Sequence, residues 1–98
     1  MSESHTRDYT DAGWVVASKY RRRTLRALAD RPATPSTLAA ETTMGIAHVS
    51  RALQAMRDRG LVALLVDEDQ QKGRVYGITD DGVDVLEGVD VLEGDADA

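Results

Sequence analysis

The stretch Thr34–Gly60, TPSTLAAETTMGIAHVSRALQAMRDRG, decides the fold. Thr34 offers a side-chain oxygen to an orphan backbone N–H, and Pro35 follows at the first helical position, where its missing N–H costs nothing. A short helix is predicted over about residues 35–41, with Leu38 and Ala39 facing inward. Thr42-Thr43-Met44-Gly45 breaks the period and reads as a turn. A longer helix follows from Ile46 to Arg59, with Ile46, Val49, Leu53 and Met56 recurring at i, i+3, i+7 and i+10. Gly60 is its stop, because glycine accepts the left-handed conformation of a helix end.

Downstream, the apolar run Leu61–Val66 is short and reads as a strand. The polar segment 67–73 ends in Gly and reads as a hairpin loop; Arg74–Ile78 alternates and reads as the returning strand. Thr79-Asp80-Asp81 is a second capping signal, with two acids suited to a helix N-terminus. The hexapeptide GVDVLE at 82–87 repeats at 88–93, and two copies are too few for a solenoid. Val85, Leu86, Val89 and Leu92 share one helical face, while Val83/Val85 and Val89/Val91 also alternate like strands. A helix from about 80, fraying before 93, is expected, weakened by Gly82 and Gly88. Upstream, one helix is expected over about 11–30, capped by Thr10 or Asp11, with Trp14, Ala17, Ser18, Leu25 and Leu28 near one face. It stops before Pro32. The organisation expected is an N-terminal arm (1–10), one domain (11–93) and an acidic tail (94–98).

Helix, helix, turn, helix, strand, loop, strand, helix is an α+β arrangement, mostly α. The segments LAAETTMGIAHVSRAL (38–53), RGLV (59–62) and GRVYGITDDG (73–82) in this order resemble winged helix-turn-helix regulators of the MarR and ArsR type. The resemblance covers about residues 20–87; Thr43 departs from it, since such turns often carry Gly. It implies a three-helix core, a two-stranded β-hairpin wing and a C-terminal helix. It also implies a homodimeric, sequence-specific regulator of double-stranded DNA, with residues 46–59 in the major groove and the wing, 67–74, on the backbone or minor groove.

Helical geometry allows an independent check. At about 100° per residue, Val49, Leu53 and Met56 fall within roughly 60° of one direction. Arg51 lies opposite, flanked by Ala47, His48, Gln54 and Ala55, with Ser50 and Arg57 at the borders. Small side chains let a helix approach bases, Arg pairs bidentately with guanine and Gln with adenine. Ala47, His48, Arg51 and Gln54 are therefore the candidate base readers. Thr34, Ser36, Ser50 and Arg57 are the candidate phosphate contacts, and Gln71, Lys72 and Arg74 the candidate wing contacts. The bland reading of each is a cap, a solvated face or a soluble loop. Trp14, Val15, Val85, Leu86, Val89 and Leu92 are candidates for a dimer interface, since six Val/Leu in the tail exceed what so small a core absorbs.

Charge is uneven along the chain. Residues 1–18 carry −2, residues 19–59 carry +6 and residues 60–98 carry −9. A net charge of −5 argues against nucleic acid, but a basic middle beside an acidic tail points toward it. Ten Arg against two Lys, and twelve Asp against five Glu, resemble haloarchaeal proteins; a GC-rich genome also favours Arg over Lys. Without Cys there is no disulfide framework or thiolate metal site. No paired-His spacing, phosphate loop or nucleophile–base set is present, so neither an enzyme nor a cofactor is expected. No apolar run suits a membrane span, and a cytoplasmic location is expected. Two alternatives stand beside DNA readout: a winged-helix module that binds protein, marked by an apolar patch on the recognition helix or wing, and a non-specific architectural DNA binder. The sequence says nothing of an effector.

Overall fold

The computed structural model describes residues 9–70 and 72–97. Its elements are α1 (Thr10–Val16), α2 (Lys19–Asp30), α3 (Pro35–Thr42), α4 (Ile46–Asp58), β1 (Val62–Leu64), β2 (Tyr76–Ile78) and α5 (Asp80–Asp97). Helices α2, α3 and α4 pack together, the hairpin follows α4, and α5 lies against α1 and α2. The architecture is the winged helix-turn-helix that the resemblance implies. Most of the expected arm, residues 1–8, lies outside the described residues, as does Gln71.

The single helix expected over 11–30 is two helices. Ser18 adopts an extended backbone, and its hydroxyl accepts the Arg21 N–H at 3.3 Å, so it caps α2. The terminal carbonyls of α1 need partners. Arg21 Nε donates to the Trp14 carbonyl at 3.0 Å, and Arg22 to the Val16 carbonyl at 2.9 Å. A cap and two guanidiniums thus stabilise a break that the apolar period runs straight across. Tyr9 holds the N-cap position of α1 without a side-chain bond, so neither Thr10 nor Asp11 plays the capping role expected of it.

The other start and stop signals act as read. The Thr34 hydroxyl accepts the Thr37 N–H at 3.2 Å, with Pro35 in the first turn. Gly60 has φ +80° at the end of α4, where Gly60 N–H reaches the Arg57 carbonyl and Leu61 N–H the Met56 carbonyl. The Thr79 hydroxyl accepts from Gly82 N–H at 3.0 Å and donates to the Gly60 carbonyl at 2.6 Å, joining the end of α4 to the start of α5. Thr43 takes the left-handed conformation (φ 53°, ψ 40°) that a glycine would hold at less cost.

Leu25, Leu28, Leu38, Val49, Leu53, Met56, Leu61 and Val62 form the centre of one core, each essentially without solvent exposure. Ile46 was expected among them but is 51% exposed; Ala52 is buried instead, and Met44 from the turn joins the core. The core stripe of α4 is therefore rotated toward Ala52, away from Ile46. Val15 and Val89 are fully enclosed within their own chain.

The strands are three residues each, shorter than the sequence suggests, paired antiparallel as Val62↔Ile78, Ala63↔Gly77 and Leu64↔Tyr76. Ala33 and Tyr76 exchange both backbone bonds, at 3.0 and 2.9 Å, which ties the hairpin base to the entry of α3. Helix α5 continues to Asp97, past the fraying expected before 93. Burial of Val89 with exposure of Val83 and Val91 decides for the helical period over the strand alternation.

Candidate nucleic-acid interface

Helix α4 buries Val49, Ala52, Leu53 and Met56 and turns Ala47, His48, Ser50, Arg51 and Gln54 to solvent. All four expected base readers are thus brought to one exposed face. That face is ordered by side-chain contacts. The His48 ring stacks on Tyr20 of α2, with centroids 4.2 Å apart and planes 3° apart. His48 Nδ1 and Arg51 Nη2 lie 3.2 Å apart, and Gln54 donates to Asp58 at 3.1 Å. These residues border a groove of about 520 Å³ between α2 and α4, with Tyr20 and Arg21 on its far wall. Sequence reading missed Tyr20, because a stack between two helices leaves no periodic signal.

A second cleft, of about 460 Å³, lies between the starts of α3 and α4 and the wing. It gathers Thr34, Ser36, Ser50, Lys72 and Arg74, five of the expected backbone and wing contacts. Arg57 is placed differently. It forms a salt bridge with Glu68 of the wing loop, whose other carboxylate oxygen is 4.0 Å from Arg74. Arg74 also donates to the carbonyls of Glu68 and Gln70, both at 3.0 Å, and so closes the loop. The bond with Glu68 raises the Arg57 pKa, and that same bond holds the Glu68 carboxyl below its ordinary value. Sequence reading places Glu68 only in the polar hairpin loop, 67–73.

The arginines of α2 are divided between neighbours. Arg22 and Arg26 both pair with Glu93, and Arg26 also with Asp90 at 2.7 Å, holding the acidic α5 against α2. Bonding to Asp90, then to Glu93, raises the Arg26 pKa. Arg21 and Arg59 bracket the Trp14 ring, 4.1 and 3.9 Å from its centroid. Burial first, and repulsion from Arg59 second, lower the Arg21 pKa.

Of the residues expected at a dimer interface, Val15 and Val89 are completely buried within their own chain. Trp14, Val85, Leu86 and Leu92 are half-buried, and Val83 and Val91 of α5 are exposed. Among the described residues no cluster of His, Asp and Glu is arranged for a metal, and no helix is long and apolar enough to cross a membrane.

Residues 7–98 match the family model described as the HVO_A0261 N-terminal domain. Among solved structures, the chain is similar to the MarR family transcription regulator SP03579 (TM-score 0.71, 20% identity, 90% of this chain and 60% of that one). It is similar to a mutant of S. aureus MepR (TM-score 0.70, 18% identity, 82% and 61%). It is similar also to Bordetella bronchiseptica BpsR, described with regulation of its DNA binding by 6-hydroxynicotinic acid (TM-score 0.71, 19% identity, 80% and 60%). This chain therefore spans about 60% of the length of those chains. At these identities the likeness establishes a shared winged-helix fold. No curated protein matches the sequence.

Proposed function

The chain belongs to the HVO_A0261 N-terminal domain family, and from that premise we propose that it is a sequence-specific regulator that binds double-stranded DNA. The observation that carries the reading is the exposed face of α4, with Ala47, Arg51 and Gln54 outward and Ser50 in the cleft shared with the wing. Arg51 reads guanine and Gln54 reads adenine in the major groove, while Ala47 permits close approach. His48 contributes an edge while Tyr20 covers one ring face. Thr34, Ser36, Ser50 and Lys72 meet phosphates around the second cleft. The acidic α5, clamped on α2, faces away from DNA.

The protein acts as a homodimer through α1 and α5, where Trp14, Val85, Leu86 and Leu92, with the exposed Val83 and Val91, supply the contact. Two-fold symmetry then calls for a palindromic operator with half-sites about one helical turn apart. It works in a cytoplasm. If that cytoplasm is as saline as the composition suggests, counterion release adds little and direct contacts must carry affinity. A second reading, a module that binds protein, draws on the exposed Leu65 of the hairpin.

The test is selection from random duplex pools at several salt concentrations, with Arg51→Ala beside the unaltered chain. An enriched palindrome, lost in Arg51→Ala, is the expected result. Weak binding without an enriched sequence, the same in both proteins, overturns operator recognition.

A further inference from the structure

Ile46 opens α4 and is 51% exposed, although the sequence places it at a core position. The buried stripe of α4 is rotated toward Ala52 and away from Ile46, and Met44 of the turn joins the core. On the helix Ile46 shares a flank with Ser50 and Arg57, at the edge of the reading face that carries Ala47 and Arg51. Its side chain lines the cleft whose other functional groups are polar or cationic: Thr34, Ser36, Ser50, Lys72 and Arg74. Beside Pro35, a branched apolar side chain thus stands among groups suited to phosphates. On most surfaces a lone exposed apolar residue calls for no explanation. Here it projects from the first turn of the helix proposed to enter the groove.

The chemistry of that groove limits its partner. Base edges in the major groove display hydrogen-bond donors and acceptors, and the single apolar group among them is the C5-methyl of thymine. Facing any other edge, the Ile46 methyl groups would cover polar atoms and return no bond. We infer that Ile46 determines specificity by packing against the C5-methyl of one thymine in each half-site, flanking the base pair read by Arg51. This rests on the DNA reading of the α4 face. It adds a base preference that hydrogen-bond donors on that face cannot supply.

The test uses the full chain and a duplex selected from the random pools. Thymines in the duplex are replaced one at a time by deoxyuridine, which removes only the methyl group. Binding is measured for the unaltered protein, Ile46→Val and Ile46→Ala, with helical content checked by circular dichroism. One replacement per half-site is expected to weaken the unaltered protein about fourfold, the worth of one buried methyl. Ile46→Val, which keeps the β-branch, should retain most of that sensitivity. Ile46→Ala should bind the thymine and deoxyuridine duplexes equally at that position. If every deoxyuridine replacement affects the unaltered protein and Ile46→Ala alike, the inference falls while operator recognition stands. If no duplex is enriched at all, both fall together.

Discussion

The ring of Tyr20 on α2 lies flat against the imidazole of His48 on α4, 4.2 Å between centroids, and His48 is in turn 3.2 Å from an Arg51 guanidinium nitrogen. A residue outside the proposed reading helix therefore fixes the rotamers of two residues on it. Pre-organising a side chain lessens the ordering that binding must otherwise impose.

Stacked aromatic pairs contribute about 0.5–1.5 kcal/mol beyond burial. Tyr20→Ala should weaken binding to the selected duplex by up to about tenfold. Tyr20→Phe, which keeps the ring, should leave binding near its original level. Equal losses in both variants, measured by fluorescence anisotropy, would show that the ring stack has no part in recognition.

Glu68 holds Arg57 in an ion pair, and under the proposed DNA reading Glu68→Gln should release that charge for a phosphate. Affinity should rise, and the dependence of log K on log salt should steepen by about 0.9 for each phosphate newly met. The pH effect has a definite sign. Because Arg57 depresses the Glu68 pKa, the ion pair's support for the fold is fully present above the unfolded carboxyl pKa and is lost as pH falls through the folded value. Glu68 is exposed and Arg57 only half-buried, so the effect belongs to binding more than to stability. DNA affinity should show a Glu68-dependent rise toward acid pH, absent in Glu68→Gln.

Thr24 is completely buried, and among the described residues its hydroxyl has no hydrogen-bond partner. A buried unpaired polar group costs roughly 1–3 kcal/mol. Thr24→Val keeps the shape and removes that group. It should raise the midpoint of urea unfolding by the equivalent of about 1 kcal/mol; a lowered midpoint would mean that the hydroxyl is satisfied.

The glycines of the tail should separate by position. A Cβ at Gly82 would run into the Leu61 carbonyl oxygen, a backbone atom that cannot swing aside, whereas one at Gly94 meets nothing within 4 Å. Gly82→Ala should therefore destabilise by about 1–3 kcal/mol despite alanine's helix preference. Gly94→Ala should be neutral or stabilise by up to about 1 kcal/mol. Urea titrations of the two variants decide it.

Arg26 joins α2 to the acidic second repeat through Asp90 and Glu93, with its side chain 40% exposed. Each such pair contributes only about 0.2–1 kcal/mol after solvent screening. Arg26→Ala should cost roughly that at low salt, and the difference from the unaltered protein should shrink in molar salt. A loss that grows with salt would point to packing of the arginine stem instead.

The sequence by itself determined the elements whose signals are local. Thr34-Pro35, Gly60 and Thr79 place helix ends because capping needs only neighbouring backbone groups. The period of Val49, Leu53 and Met56 fixes which side of α4 is buried, and so exposes Ala47, His48, Arg51 and Gln54 together. Tertiary structure decided what depends on partners distant in the chain. The break at Ser18 is stabilised by Arg21 and Arg22 on the carbonyls of α1, and no periodicity records that arrangement. Ile46 is left in solvent because packing rotates the buried stripe of α4 toward Ala52. Val15 and Val89 are enclosed because α1 packs on α5. Tyr20 against His48 and Glu68 against Arg57 join separate elements. Spacing along a chain specifies the face of a helix, but only packing decides what that face meets.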